Sequence, residues 1–155
     1  MFVQNLIMAK KTILCAVDFS ESSLHALKWT MGMAKLYKAE VTFLFCYRLI
    51  TVSDEGELLN MKRDMEAEAL SRFHQIEAKC IRATTVPYHF VMEIGFFSSR
   101  IELFTRRSRV SLLVLGTSMI KDFDEYKNLS FDKFLSAAKI PVIIAPEGAS
   151  DFMDE

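Results

Sequence analysis

Short apolar runs alternate along this chain with longer segments whose apolar residues recur every three or four positions. Thr12 to Val17, Val41 to Cys46, Ser111 to Leu115 and Val142 to Ala145 are continuous runs. Such runs suit strands buried on both faces of a parallel sheet. Pro87 to Ile94 differs: Tyr88, Phe90, Met92 and Ile94 alternate with His89, Val91 and Glu93, as in a partly exposed strand near a sheet edge. Between the strands the spacing becomes helical. Ser20 is placed to cap a helix running to about Tyr37, with Glu21 on its positive end and Leu24, Leu27, Met31 and Ala34 on one face. Asp54-Glu-Gly-Glu57 has capping-box spacing and opens a long helix carrying Leu58, Met61, Met65, Ala69, Phe73 and Ile76. Further helices are predicted from about Ser98 to Arg107 and from Ser130 to Ala138, with a loop from Gly116 to about Asn128 before the second. Strands alternating with helices predict right-handed βαβ units, hence an α/β fold with a parallel sheet covered on both faces.

At 155 residues the chain fits one domain. Its core is expected over about 11–146, flanked by segments 1–10 and 147–155. Nineteen basic residues nearly cancel twenty acidic ones, which gives no reason to expect nucleic acid or an anionic membrane as partner. The three cysteines, Cys15, Cys46 and Cys80, form no CxxC pair and two of them fall in apolar runs. They predict a reducing, cytoplasmic setting and no metal site. No run approaches the roughly 18 apolar residues of a membrane span. The apolar start, Phe2 to Met8, is followed by Lys10 and Lys11, the wrong side for a signal peptide. Met8 is an alternative start, in which case the first seven residues are a dispensable extension.

Three stretches taken in order carry a resemblance: Thr12-Ile-Leu-Cys-Ala-Val-Asp-Phe-Ser-Glu-Ser-Ser-Leu-His-Ala-Leu27, Leu112-Leu-Val-Leu-Gly-Thr117 and Ile140-Pro-Val-Ile-Ile-Ala-Pro146. Together they resemble the universal stress protein family over roughly Lys11 to Pro146. The resemblance implies a five-stranded parallel sheet in order 3-2-1-4-5, helices on both faces and a homodimer. It also implies a ligand crevice where strands one and four diverge, the general place for ligands in open α/β sheets. Asp18, Phe19, Val41, Gly116 and Thr117 are its expected lining. Nucleotide-binding members carry Gly-x-x-Gly, nine residues, then Gly-Ser or Gly-Thr. Here Gly116 matches the first glycine, Met119 stands at the second, Leu129 (or Asn128, counting back from Pro141) at the third, and Ser130 keeps the hydroxyl. Glycine matters at such positions because it permits positive φ and lets backbone N–H groups approach phosphate oxygens. The same stretch holds Asp122, Asp124 and Glu125 against Lys121 and Lys127, and like charges about 4 Å apart repel by about 4 kcal/mol at an effective dielectric near 20. It should reject a triphosphate unless a cation intervenes.

Asp18 then has two readings, a contact to ribose hydroxyls or a strand-end carboxylate that helps the chain turn. His25, His74 and His89 have no serine or cysteine partner suggested by spacing, which leaves them surface or packing roles. Thr117 and Ser118 are ordinary loop residues or phosphoryl acceptors. Phe96 and Phe97 fill part of the crevice or pack the following helix. The sequence therefore predicts a non-catalytic stress-response protein acting through protein–protein contact without ATP, paired through Val142, Ile143 and Ile144 at a sheet edge. The alternative is an adenine-nucleotide switch or slow ATPase that holds ATP or AMP with Mg through Asp18, Val41, Gly116, Thr117 and Ser130. A phosphoacceptor receiver domain is disfavoured, because Asp18 stands alone and Ile94-Gly95-Phe96 replaces a phosphorylatable Asp.

Overall fold

The strands β1 (Thr12–Ala16), β2 (Glu40–Tyr47), β3 (Tyr88–Ile94), β4 (Leu112–Gly116) and β5 (Val142–Ala145) form one sheet in the order β3-β2-β1-β4-β5. Every pairing is parallel. The computed structural model describes residues 11–50, 54–81, 84–125 and 130–148. The expected strand order is therefore met, with the alternating strand β3 at one edge and β5 at the other. The helices are α1 (Glu21–Tyr37), α2 (Glu55–Cys80), α3 (Phe97–Arg107), α4 (Thr117–Glu125) and α5 (Phe131–Ala137).

The continuous apolar runs supply both faces of the sheet, because successive side chains point to opposite sides. Ile13, Cys15, Val41, Phe43 and Val114 pack beneath α1 and α2, against Ala26, Leu27, Ala34, Phe73 and Ile76. Leu14, Ala16, Leu44, Leu113 and Leu115 pack on the other face, against Phe97 and Ile101 of α3, Met119 and Phe123 of α4 and Phe134 of α5. Side-chain caps fix three helix starts. Ser20 accepts from the Ser23 N–H at 3.2 Å, Asp54 from Gly56 at 2.9 Å and Ser130 from Lys133 at 3.2 Å. Each satisfies one orphan donor of a first turn.

One element departs from expectation. The stretch after Gly116 is helical from Thr117 to Glu125, where a loop was predicted. Between Thr117 and Ile140 there is neither glycine nor proline to interrupt a helix. Met119 and Phe123, one turn apart, both turn into the core. Asn128 and Leu129, the two candidates for the third glycine position, lie outside the described residues. So do Met8, the two flanking segments apart from Glu147 and Gly148, and the side chains of Asp122, Asp124 and Glu125.

Candidate functional site

At the carboxyl ends of β1 and β4 the chain builds a cluster of one carboxylate and three hydroxyls. Asp18 Oδ1 accepts from the Ser20 N–H at 2.9 Å and from the Ser20 hydroxyl, and Oδ2 accepts from the Ser118 hydroxyl at 2.9 Å. Ser118 in turn donates its N–H to Ser22 Oγ at 3.1 Å and accepts from that hydroxyl at 2.8 Å. Asp18 thus joins the start of α1 to the start of α4, and both its oxygens are engaged within the chain. The histidines are elsewhere: His25 faces Glu21 at 3.9 Å, His74 bonds Glu77 at 2.6 Å and His89 is on the edge strand β3.

Gly116 sits where α1 crosses β4. A Cβ placed on it would lie 2.8 Å from the carbonyl carbon and oxygen of Ser22 and 2.9 Å from the Ser23 nitrogen. The missing side chain is a requirement of helix-on-strand contact, independent of any ligand. Thr117 is half-buried and donates to Glu147 at 3.3 Å. Ser130 is exposed and caps α5. Asp18, Gly116 and Thr117 are therefore brought together at the crevice, but Val41 is not. It is fully buried and pairs with Ile13 and Tyr88 near the amino ends of the strands, so the expectation that it lines the crevice is corrected. The carboxyl end of β2 carries Cys46 and Tyr47 instead.

Beside the hydroxyl cluster, α4 packs its side chains onto the carboxyl half of the sheet. Met119 and Phe123 are each only 2% exposed. The Phe123 ring lies 5.7 Å from Phe97, 5.4 Å from Phe131 and 4.9 Å from Phe134, centroid to centroid. These tilted and edge-on contacts are the preferred aromatic geometries. Of the two phenylalanines after Gly95, Phe97 belongs to this core. Phe96 is turned outward with the Arg48 guanidinium 5.1 Å above its ring. A cleft of about 270 Å³ lies between the end of β2, the start of α3 and Phe123. Cys46 lines it, and burial, reinforced by Glu93 and partly offset by Arg100, pushes its thiol up to about 12. That thiol is a poor nucleophile at neutral pH.

One feature has no sequence signal. Phe19 adopts a left-handed backbone conformation at φ 62°, which costs a non-glycine residue of order 1 kcal/mol or more. Its ring is held 5.1 Å from Phe45 and 6.4 Å from Phe90, with the Arg72 guanidinium 5.8 Å above it. This anchorage fixes the turn that delivers Asp18 and Ser20 to the cluster. Among the described residues no group of three His, Cys, Asp or Glu side chains is placed to hold a metal ion, and no helix is long and apolar enough to cross a membrane.

The model of the universal stress protein family matches residues 10–146. The chain belongs to that family. Solved universal stress proteins share its fold. UspA from Lactobacillus plantarum is 16% identical with a TM-score of 0.67, over 88% of this chain and 99% of the other. A family member from Burkholderia pseudomallei is 22% identical with a TM-score of 0.62, over 86% and 94%. A universal stress protein solved in complex with cAMP is 17% identical with a TM-score of 0.63, over 90% and 98%. Among curated proteins none matches this sequence.

Proposed function

We propose that this universal stress protein acts through its protein surface, without catalysis and without a nucleotide in the crevice. The observation that carries this reading is α4. Where a phosphate-binding loop needs glycines, the chain runs directly into a helix whose Met119 and Phe123 are packed into the core. Asp18, the residue matched to a ribose contact, spends its oxygens on Ser20 and Ser118. A cytoplasmic setting suits three unpaired cysteines.

The competing reading is an adenine-nucleotide switch. It draws on the relative solved with cAMP and on the cleft left open beside Phe123. Melting the protein with and without millimolar Mg-ATP, AMP or cAMP separates the two. A ligand at about 100 times its Kd stabilises by roughly 2.7 kcal/mol, which in a chain of this size raises Tm by about 5 °C or more. No shift is expected with any of the three. A shift of that size with one of them would replace the proposal by the switch.

The surface we propose first is the edge strand β5. Among the described residues it pairs only with β4, and it presents Val142 and Ile143 half-buried and Ile144 37% exposed. Neither a lysine nor a proline interrupts Val142-Ile-Ile-Ala, so the bare backbone invites a partner strand. A second copy about a two-fold axis closes the assembly with one self-complementary patch. Ile143→Pro removes a main-chain donor and Ile143→Lys charges an apolar contact. Each is expected to shift sedimentation at tens of micromolar protein from dimer to monomer. A parent that sediments as a monomer, or a folded Ile143→Pro variant still dimeric, would exclude this interface.

A further inference from the structure

The long helix α2 is held to the sheet through a small area. Of its 26 residues Ala69, Phe73 and Ile76 are buried, whereas α1 buries eight of its 17. The anchor is aromatic: the Phe73 ring lies 4.3 Å from Phe90, 5.6 Å from Phe43 and 6.2 Å from Tyr88, centroid to centroid. Two polar bonds reinforce it, and both run from a tyrosine of the sheet to a carboxylate of α2. Tyr47 at the carboxyl end of β2 donates to Glu66 at 2.5 Å, and Tyr88 at the start of the edge strand β3 donates to Glu77 at 2.5 Å. Phenol-to-carboxylate bonds of this length are charge-assisted, roughly twice as strong as neutral ones. The Arg72–Glu68 pair at 3.0 Å lies within the helix and does not reach the sheet.

Glu77 carries a second bond that Glu66 is not given. Its other oxygen meets the His74 ring nitrogen at 2.6 Å. The bond from Tyr88, followed by the bond from His74, holds the Glu77 carboxyl below the usual carboxylate range. Glu77 in turn, with burial adding to it, pushes the Tyr88 phenol up to about 12, so the phenol stays a donor wherever the carboxylate titrates. Among the described residues α1 and β2 bring no charged group that shifts Glu77, and His89, next along β3, points to the opposite face.

We propose that Glu77 is an acid-sensitive latch: ionised, it holds the last two turns of α2 on β3 through Tyr88, and protonated, it lets residues 73–80 lift from Phe43 and Phe90 while the rest of the sheet stays folded. Because folding lowers its pKa, the carboxylate contributes stability above the ordinary glutamate value of about 4.3, and that contribution is lost as pH falls through the lowered folded value. Opening gives the molecule an aromatic surface in acid that it buries at neutral pH.

Native-state amide exchange, corrected for the intrinsic pH dependence of exchange, reads this local opening directly. Between about pH 7 and about pH 3.5, protection of residues 73–80 is expected to fall about tenfold or more, the weight of a hydrogen bond to a charged group. The midpoint should lie below about 4.3, and protection in β1 should change much less. Tyr88→Phe keeps the ring and removes the donor, and Glu77→Gln keeps the shape and removes the charge. Each should bring residues 73–80 at neutral pH close to the parent's acid level and flatten their pH dependence. The double variant should lose no more than either single change, since both remove one bond. Parent-like protection in both single variants would overturn the proposal. So would a midpoint between about pH 6 and about pH 7, the ordinary histidine range, which would give the switch to His74. An equal fall in β1 and in residues 73–80 would mean that acid unfolds the whole domain at once, and the latch fails.

Discussion

Gly116→Ala is expected to lower stability by about 3 kcal/mol, the upper end of what one added methyl costs in a packed site. The magnitude follows from what the new Cβ meets. Ser22 C and O at 2.8 Å and Ser23 N at 2.9 Å are backbone atoms, so no rotamer change relieves the contact and α1 itself must lift from β4. Lifting α1 also pulls Ser22 from Ser118 and strains the Asp18 network, whose hydrogen bonds contribute about 1 kcal/mol each. Gly116→Val should exceed the stability of the domain and yield no folded protein. Urea titration of the ligand-free chain measures the first effect directly. The same experiment separates two explanations for this glycine. If it serves only phosphate approach, Gly116→Ala leaves the midpoint of ligand-free unfolding where it was. If it serves the crossing of α1 over β4, the midpoint falls in the complete absence of nucleotide.

The sheet was legible because its signal is carried by many residues at once. Four continuous apolar runs and one alternating run each match an observed strand, and the edge position of β3 follows from its half-polar pattern. The helix starts were legible where a short side chain reaches back to the first turn, as Ser20, Asp54 and Ser130 do. What sequence reading missed is the part governed by competition between local and tertiary terms. Reading Gly116 to Asn128 as a loop rested on aligning it to a glycine-rich stretch. Its own residues, free of glycine and proline with Met119 and Phe123 one turn apart, favour the helix that forms. Val41 was assigned to the crevice by family correspondence, yet a position near the start of a parallel strand cannot reach the carboxyl end of the sheet. Phe19 gave no sign of its positive φ, since only the tilted and edge-on ring contacts with Phe45 and Phe90 offset the strain of that conformation.

Phe123→Ala should cost about 3–5 kcal/mol, the range for deleting a buried aromatic ring. Phe123 is the hub of the aromatic group formed with Phe97, Phe131 and Phe134. At 2% exposure it has no solvent side into which neighbours can relax, which places the loss toward the upper part of that range. Against a typical domain stability of about 5–15 kcal/mol, such a variant is marginal at best near body temperature. Phe131→Ala is the matched control: its ring touches Phe123 but is only half-buried, so its cost should be clearly smaller. Because Phe123 and Phe134 share a contact, the double alanine variant should lose less than the sum of the two singles. Equilibrium unfolding of the parent and the four variants measures these differences. The ordering bears directly on the proposed function, since a flexible ligand loop tolerates alanine within about 0.5 kcal/mol. A Phe123→Ala chain as stable as its parent would mean that α4 does not plug the carboxyl end of the sheet, and the case against a bound nucleotide would lose its foundation. A loss of several kcal/mol makes α4 part of the core, and a nucleotide could enter only by paying that same cost to displace it.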